Sequence, residues 1–251
     1  MMTTQEFLNL IVYGPALVGS DSRILAVVHG MERALPGLRL EWRVSKEGHP
    51  VPLPQRDAWL MEARPDGGFP LVCNGDESHP ITLFGLENPA GLSAGGRPLF
   101  DVHAELPLDT SVISVAEHLL ENVAEGAQAM WGQATPFTAR VEIARQTRHS
   151  LDEPYHHPRG LPPLKLSKEL RSSEIPRELG WLNYWSAAAA YTIGFPDPAR
   201  DADLLSRSRR TASGGWIVRL TEAPLDLDIP EHLDALLRAY ERFPVIGGRD
   251  T

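Results

Sequence analysis

The chain holds one cysteine, Cys73, so it can form no internal disulfide. That excludes a disulfide scaffold and fits a reducing compartment. Cys73 sits in the apolar run Phe69-Pro70-Leu71-Val72-Cys73-Asn74, where a buried, inert thiol is the expectation. No window approaches the ~20 apolar residues of a membrane-spanning helix. The start, Met1-Met2-Thr3-Thr4-Gln5-Glu6, has no basic region, and Phe7 to Val12 is too short for the apolar core of a secretory signal. The expected location is therefore cytoplasmic. Positive charge is also scarce: 24 Lys and Arg against 33 Asp and Glu leave a net charge of −9. Nucleic-acid backbones and anionic membranes are poor partners for such a chain, whereas a basic protein is a good one.

Catalytic motifs in a workable context are missing too. Gly91-Leu92-Ser93-Ala94-Gly95 matches G-x-S-x-G. A nucleophile elbow needs a strand before the serine and a helix after it, yet Asn88-Pro89 precedes and Gly96-Arg97-Pro98 follows. Gly14-Pro15-Ala16-Leu17-Val18-Gly19-Ser20 has P-loop glycine spacing but places Ser20 where the phosphate-binding lysine belongs. Asp197, Asp201 and Asp203 around Arg200 read as helix-capping acids after a proline turn. The remaining metal candidate is the loop with Asp152, Glu153, His156 and His157, which needs further ligands from elsewhere to hold zinc. That loop supports an alternative reading of the chain as a metal-dependent hydrolase-like enzyme. No catalytic residue, resident metal or cofactor is assigned from the sequence.

Periodicity gives the elements. Phe7 to Tyr13 reads as a strand, followed by a helix capped at Asp21 or Ser22 with Ile24, Leu25, Val28, Met31 and Leu35 on one face. Leu38 to Val44 alternates as a strand, so the opening reads β-α-β. Arg56 to Ala63 reads as a short helix, and Leu71 to Cys73, Ile81 to Phe84 and Pro98 to Leu106 as strands. The clearest helix spans about Thr110 to Trp131, capped at Asp109 or Thr110, with an apolar stripe from Val112 to Trp131 and Gly132 as its stop. Thr138 to Ile143 reads as a strand, Trp181 to Tyr191 as a helix, and Trp216 to Leu220 as a strand. Asp228-Ile229-Pro230-Glu231 resembles a capping box opening a terminal amphipathic helix. The sum is an α+β fold, a mostly antiparallel sheet with helices packed on one face. It is read as a single domain over residues 1–251, with an internal loop or linker at 150–166.

Charge patterning is the sharper functional signal. From Asp101 to Trp131 there is no Lys or Arg, and Glu117, Glu121 and Glu125 recur every four residues, stacked on one helix face. Like charges at that spacing cost a few tenths of a kcal/mol per pair, so helix formation alone does not ask for them. A second run free of Lys and Arg carries Glu222, Asp226, Asp228, Glu231 and Asp234, close to Trp181, Trp185 and Trp216. One-signed stripes steer a basic partner, and aromatics beside a charged rim are typical of interface centres. The plain alternatives are a solvated acidic face and aromatic residues packed in the core.

Gly180-Trp181-Leu182-Asn183-Tyr184-Trp185 and the segment from Leu220 to His232 resemble the immunity-protein-52 family of bacterial polymorphic toxin systems. The resemblance covers mainly the last third of the chain. It implies an α+β protein that binds and silences a cognate toxin, a nuclease of the restriction-endonuclease fold, and it carries over no catalytic residue. The residues expected to meet that partner are Glu117, Glu121, Glu125, Glu222, Asp226, Asp228 and Glu231.

Overall fold

The computed structural model describes residues 6–19, 21–62, 67–147 and 158–249. Its strands are β1 Phe7–Pro15, β2 Trp42–Val44, β3 Pro50–Pro52, β4 Phe69–Cys73, β5 Thr82–Asn88, β6 Leu99–Pro107, β7 Trp131–Pro136, β8 Leu182–Trp185, β9 Ser208–Arg210 and β10 Trp216–Arg219. Its helices are α1 Arg23–Ala34, α2 Arg56–Leu60, α3 Thr110–Ala127, α4 Phe137–Ala144, α5 Ala187–Ile193, α6 Ala202–Ser206 and α7 Pro230–Arg242. The strands form one sheet in the order β3-β2-β4-β5-β6-β1-β7-β8-β10-β9. Every neighbouring pair is antiparallel, which makes the fold α+β.

Strand alternation assigns the two faces of the sheet. Leu8, Leu10 and Val12 of β1 point to the side on which α3 lies, with Val102, Ala104 and Leu106 of β6 beside them in register. α3 begins where the Asp109 carboxylate accepts the Val112 backbone N–H at 3.0 Å and ends at Gln128, which adopts the left-handed conformation with φ 51°. Its buried stripe is Val112, Ala116, Leu119, Leu120, Val123, Ala124 and Ala127. α1 packs across it so closely that a Cβ on Gly126 would sit 2.8 Å from the Ala26 backbone. Asn9, Ile11 and Tyr13 point to the other face, where α4 and the aromatic rings of Trp185, Phe195 and Phe243 cover the β7–β8 half.

Several elements differ from the sequence expectation. Trp131 does not end α3; it opens β7, because Met130 N–H donates to the Tyr13 carbonyl at 2.8 Å and draws the chain into the sheet beside β1. Residues 182–185 are a strand, not the first half of a helix, and a helix starts only at Ala187, capped by Ser186. Thr138 to Ile143 is part of α4, not a strand, and buries Ala139 and Ile143, four residues apart, on one helix face. The opening β-α-β unit does not form as a unit, since β1 pairs with β6 and β7 while β2 pairs with β3 and β4. No capping box opens α7: the Asp228 carboxylate is taken by Arg159, and Ile229 holds the cap position without a side-chain bond.

Candidate partner-binding surface

The two acidic runs have different surroundings. Ile217 of β10 faces Arg209 of β9 in register, so Arg209 and Arg219 project from the same side of the sheet toward α3. Arg209 Nη2 lies 2.7 Å from Glu121 Oε2, and Arg209 Nε lies 3.4 Å from Glu117 Oε2. Arg219 Nε is 3.6 Å from Glu117 Oε1. Ser213 Oγ donates to Glu125 at 2.5 Å. Partial burial works against the Arg209 charge, but the hydrogen bonds and charges of Glu121 and Glu117 outweigh it and raise the guanidinium above its ordinary value. The Glu117/Glu121/Glu125 stripe is thus half-buried, with Glu117 and Glu121 matched by arginines and Glu125 by a serine hydroxyl, rather than an open acidic face. Its arginines come from about ninety positions further along the chain, beyond the reach of any local charge count.

The second run stays open. From Thr221 to Ile229 the connection leading into α7 alternates: Leu225 and Leu227 are buried, whereas Asp226 and Asp228 are exposed. Two leucines inserted into the core force the intervening carboxylates outward. The backbone is then pinned along its length. Thr221 Oγ1 donates to the Ala223 carbonyl at 2.7 Å, the Asp228 N–H donates to Asp226 Oδ1 at 2.9 Å, and the Asp226 N–H donates to His232 Nδ1 at 3.1 Å. Arg159 donates to the Leu227 carbonyl at 2.8 Å and to Asp228 Oδ1 at 2.6 Å. Glu222 is exposed and pairs with Arg219 at 3.0 Å, and Glu231 is exposed in the first turn of α7. Arg219 therefore touches both acidic runs, Glu117 on one side and Glu222 on the other.

Beside the connection runs an open groove of about 710 Å³, lined in part by Leu108, Phe137, Arg159, Pro224, Asp226 and Asp228. Phe137 is half exposed at its wall. An aromatic ring and a leucine next to a carboxylate rim give the groove both apolar area and charge. Arg159 and Phe137 were not singled out in the sequence; Arg159 lies in a proline-rich stretch, and nothing local announces its pairing with a residue 69 positions away.

The connection is anchored from within. Trp181 Nε1 donates to the Thr221 carbonyl at 2.9 Å, and Leu220 N–H donates to the Trp181 carbonyl at 2.9 Å. Trp181 and Trp185 are both buried, as core aromatics. Just upstream, buried Glu178 accepts from Gln133 Nε2 at 2.6 Å and pairs with Arg140 at 3.1 Å and Arg177 at 3.2 Å. Burial opposes the Glu178 charge, and the two guanidiniums overcome it, holding the carboxyl below the usual range. Gly180 fits there only for lack of a side chain, since a Cβ would lie 2.1 Å from Thr135 Oγ1. Nearby, Asp101 is buried, bonded to Asn88 through one oxygen and unpartnered at the other. Burial pushes its carboxyl up to about 7, against the pull of Arg177 and Asn88. His103, two residues along β6, is pushed down to about 4 by burial and by the Arg140 and Arg177 charges, so it is neutral at pH 7.

The other sequence candidates resolve as structure. Ser93 is buried, and its hydroxyl donates to the Asn88 and Pro89 carbonyls rather than facing a substrate space. Asp201 makes no side-chain cap; it is buried and binds Arg242. Asp152, Glu153, His156 and His157 lie outside the described residues. No group of three or more His, Cys, Asp or Glu suited to a metal occurs among the described residues. No helix among them is long and apolar enough to cross a membrane.

Comparison with known proteins places these features in a family. No curated protein matches the chain. Among solved structures, it is similar to a Pseudomonas aeruginosa T6SS protein, PA0821, with a TM-score of 0.54 and 15% identity over 95% of this chain and 76% of that one. At that identity the likeness speaks for the fold. The model of a family described as a domain of unknown function, DUF5953, matches residues 19–251, and the chain belongs to that family.

Proposed function

We propose that this DUF5953 protein is an immunity-type inhibitor that binds and neutralises a cognate protein toxin, a nuclease, through the Glu222–Glu231 connection and the groove beside it. The observation that carries the reading is the alternation at Leu225, Asp226, Leu227 and Asp228, which buries the leucines and fixes the carboxylates outward on a pinned backbone. A surface held in one conformation loses little entropy on association. A nuclease site gathers phosphate with basic residues, so an acidic cover gains both encounter rate and specificity. The T6SS label of the structural neighbour belongs to that protein; together with the resemblance of residues 180–185 and 220–232 to immunity-protein-52, it favours a toxin as the partner over an unrelated basic protein.

In this reading Glu117, Glu121 and Glu125 act behind the surface. Glu117 and Glu121 hold Arg209 and Arg219, Glu125 holds Ser213, and Arg219 in turn orients Glu222. The test is co-purification of the chain with the product of the neighbouring gene, followed by binding kinetics at low salt. Complex formation with a basic toxin, weakened by Asp226→Lys, supports the proposal. Absence of a complex, or an association rate untouched by Asp226→Lys and Glu231→Lys together, removes it.

A further inference from the structure

Away from the acidic connection, toward the other end of α7, a cavity of about 210 Å³ opens between α6 and α7. Its lining includes Arg200, Asp203, Arg207, Arg238 and Arg242, in a chain whose net charge is −9. Two of the four arginines have structural work. Arg242 donates to buried Asp201 at 2.6 Å and to the Gly194 carbonyl at 2.8 Å, tying the end of α7 to the chain before α6. Arg207 Nη2 pairs with Asp203 at 2.7 Å across one turn, which leaves its buried Nε without a partner. Arg200 and Arg238 are exposed, and neither guanidinium has a hydrogen bond or ion pair among the described residues.

The charge count is unbalanced. Asp203 in the lining and Asp201 behind Arg242 each pair with one guanidinium, and those of Arg200 and Arg238 form no ion pair among the described residues, even with Asp234 one turn before Arg238. Arg238 and Arg242 sit four apart on α7, where like charges repel. Favourable placement at a helix C-terminus accounts for Arg242 in the last turn. It does not account for Arg200, which reaches the same space from another segment. Convergent guanidiniums with donors to spare are the arrangement that recognises a doubly charged oxyanion, because each planar fork can offer two parallel N–H bonds to one phosphate.

We propose that this cavity is a binding site for a phosphate group, either the free ion or a small phosphate monoester. The volume holds a phosphate with a short organic substituent and falls below the range of pockets that enclose drug-sized ligands, which start at roughly 300 Å³. Arg200 and Arg238 supply the free donors, and Asp201 fixes Arg242 as the back wall. The site is independent of the toxin-binding reading, since it shares no lining residue with the acidic connection or its groove.

The experiment is calorimetric titration of the intact chain with inorganic phosphate and, separately, with O-phospho-L-serine, at ionic strength held constant with chloride. Saturable one-to-one binding is expected. Arg200→Ala and Arg238→Ala should each weaken it about tenfold or more, the equivalent of one charge-assisted hydrogen bond. Both residues are exposed and unpaired, so the melting temperature without phosphate should stay unchanged, which separates loss of the site from loss of the fold. Tighter binding of phosphoserine assigns the site to monoesters, and equal binding assigns it to the free ion. No saturable heat with either probe, or binding retained by the double variant, overturns the proposal.

Discussion

The acidic stripe on α3 and the acidic connection before α7 look alike in the sequence and behave differently in the fold. Both are free of Lys and Arg over their own length. The stripe meets Arg209 and Arg219 from neighbouring strands and becomes part of the packing between α3 and the sheet. In the connection, one carboxylate meets Arg159, another meets Arg219, and the rest face solvent. A local run of one charge sign therefore predicts an interaction surface only where the tertiary structure brings no opposite charge to it. What each carboxylate faces ranks the consequences of removing it.

The extreme case of a carboxylate enclosed by cations is Glu178. Glu178→Ala leaves Arg140 and Arg177 without their buried counter-charge, and breaking such a pair from one side costs about 3–5 kcal/mol. Urea unfolding should show a loss of that order. A loss near that of a surface substitution would mean that solvent already reaches the cluster and that burial does not set the ranking.

Asp101 is the opposite kind of buried carboxylate, one with a free oxygen and no cation in contact. Its folded value of about 7 lies above the ordinary 3.8. The folded state therefore holds the proton more tightly between those values, and the contribution of Asp101 to stability falls as pH rises from about 4 to about 7. Asp101→Asn should be more stable than the parent at pH 8, by an amount on the order of a few kcal/mol at most. The gap should narrow steadily as pH drops from about 7 toward about 4. His103 works the other way, losing stability as pH falls from its ordinary 6.5 toward about 4, but it is common to both chains, so the difference isolates Asp101. A pH-independent difference would remove the titration account.

Smaller again is the partly exposed pair Arg209–Glu121. A double-mutant cycle with Arg209→Ala and Glu121→Ala should give a coupling of about 1 kcal/mol, at the upper end of what exposed pairs yield. Zero coupling would return the α3 stripe to the class of solvated acids and restore it as a candidate docking face.

The same distinction explains what could be read from the chain. α3, β6 and β10 were legible from the spacing of their apolar residues, with Asp109 offering a cap for α3 at the right place, and β1 as a run of large apolar residues ended by Gly14-Pro15. β7 and β8 were not, because all six residues of the first and all four of the second are buried, which erases the alternation that marks a strand. In α4 the order Thr-Ala-Arg-Val-Glu-Ile mimics a strand pattern although its buried pair is spaced as a helix. At the candidate surface, the acids were legible as a run, while the burial of Leu225 and Leu227 between them emerged only in the fold. The partners that separate one run from the other, Arg159, Arg209 and Arg219, were hidden by sequence distance.

The smallest expected effect on stability is the one on which the functional reading depends most. Asp226 and Glu231 are exposed, and neither carboxylate forms an ion pair among the described residues. Reversing both to lysine should cost less than about 1 kcal/mol, through the lost turn acceptor at Asp226 and the reversed charge in the first turn of α7. The same double variant changes the connection by four charge units, and the association rate with a basic partner should fall at low salt by about tenfold or more. At high salt the parent and the variant should converge as screening shortens the reach of both. Asp226 also caps the turn by accepting the Asp228 N–H, so Asp226→Asn, which keeps an acceptor while losing the charge, divides the two roles. If Asp226→Asn lowers the association rate while the melting temperature holds, the carboxylate acts as charge. If the association rate follows the melting temperature instead, the connection serves the fold and the partner binds elsewhere.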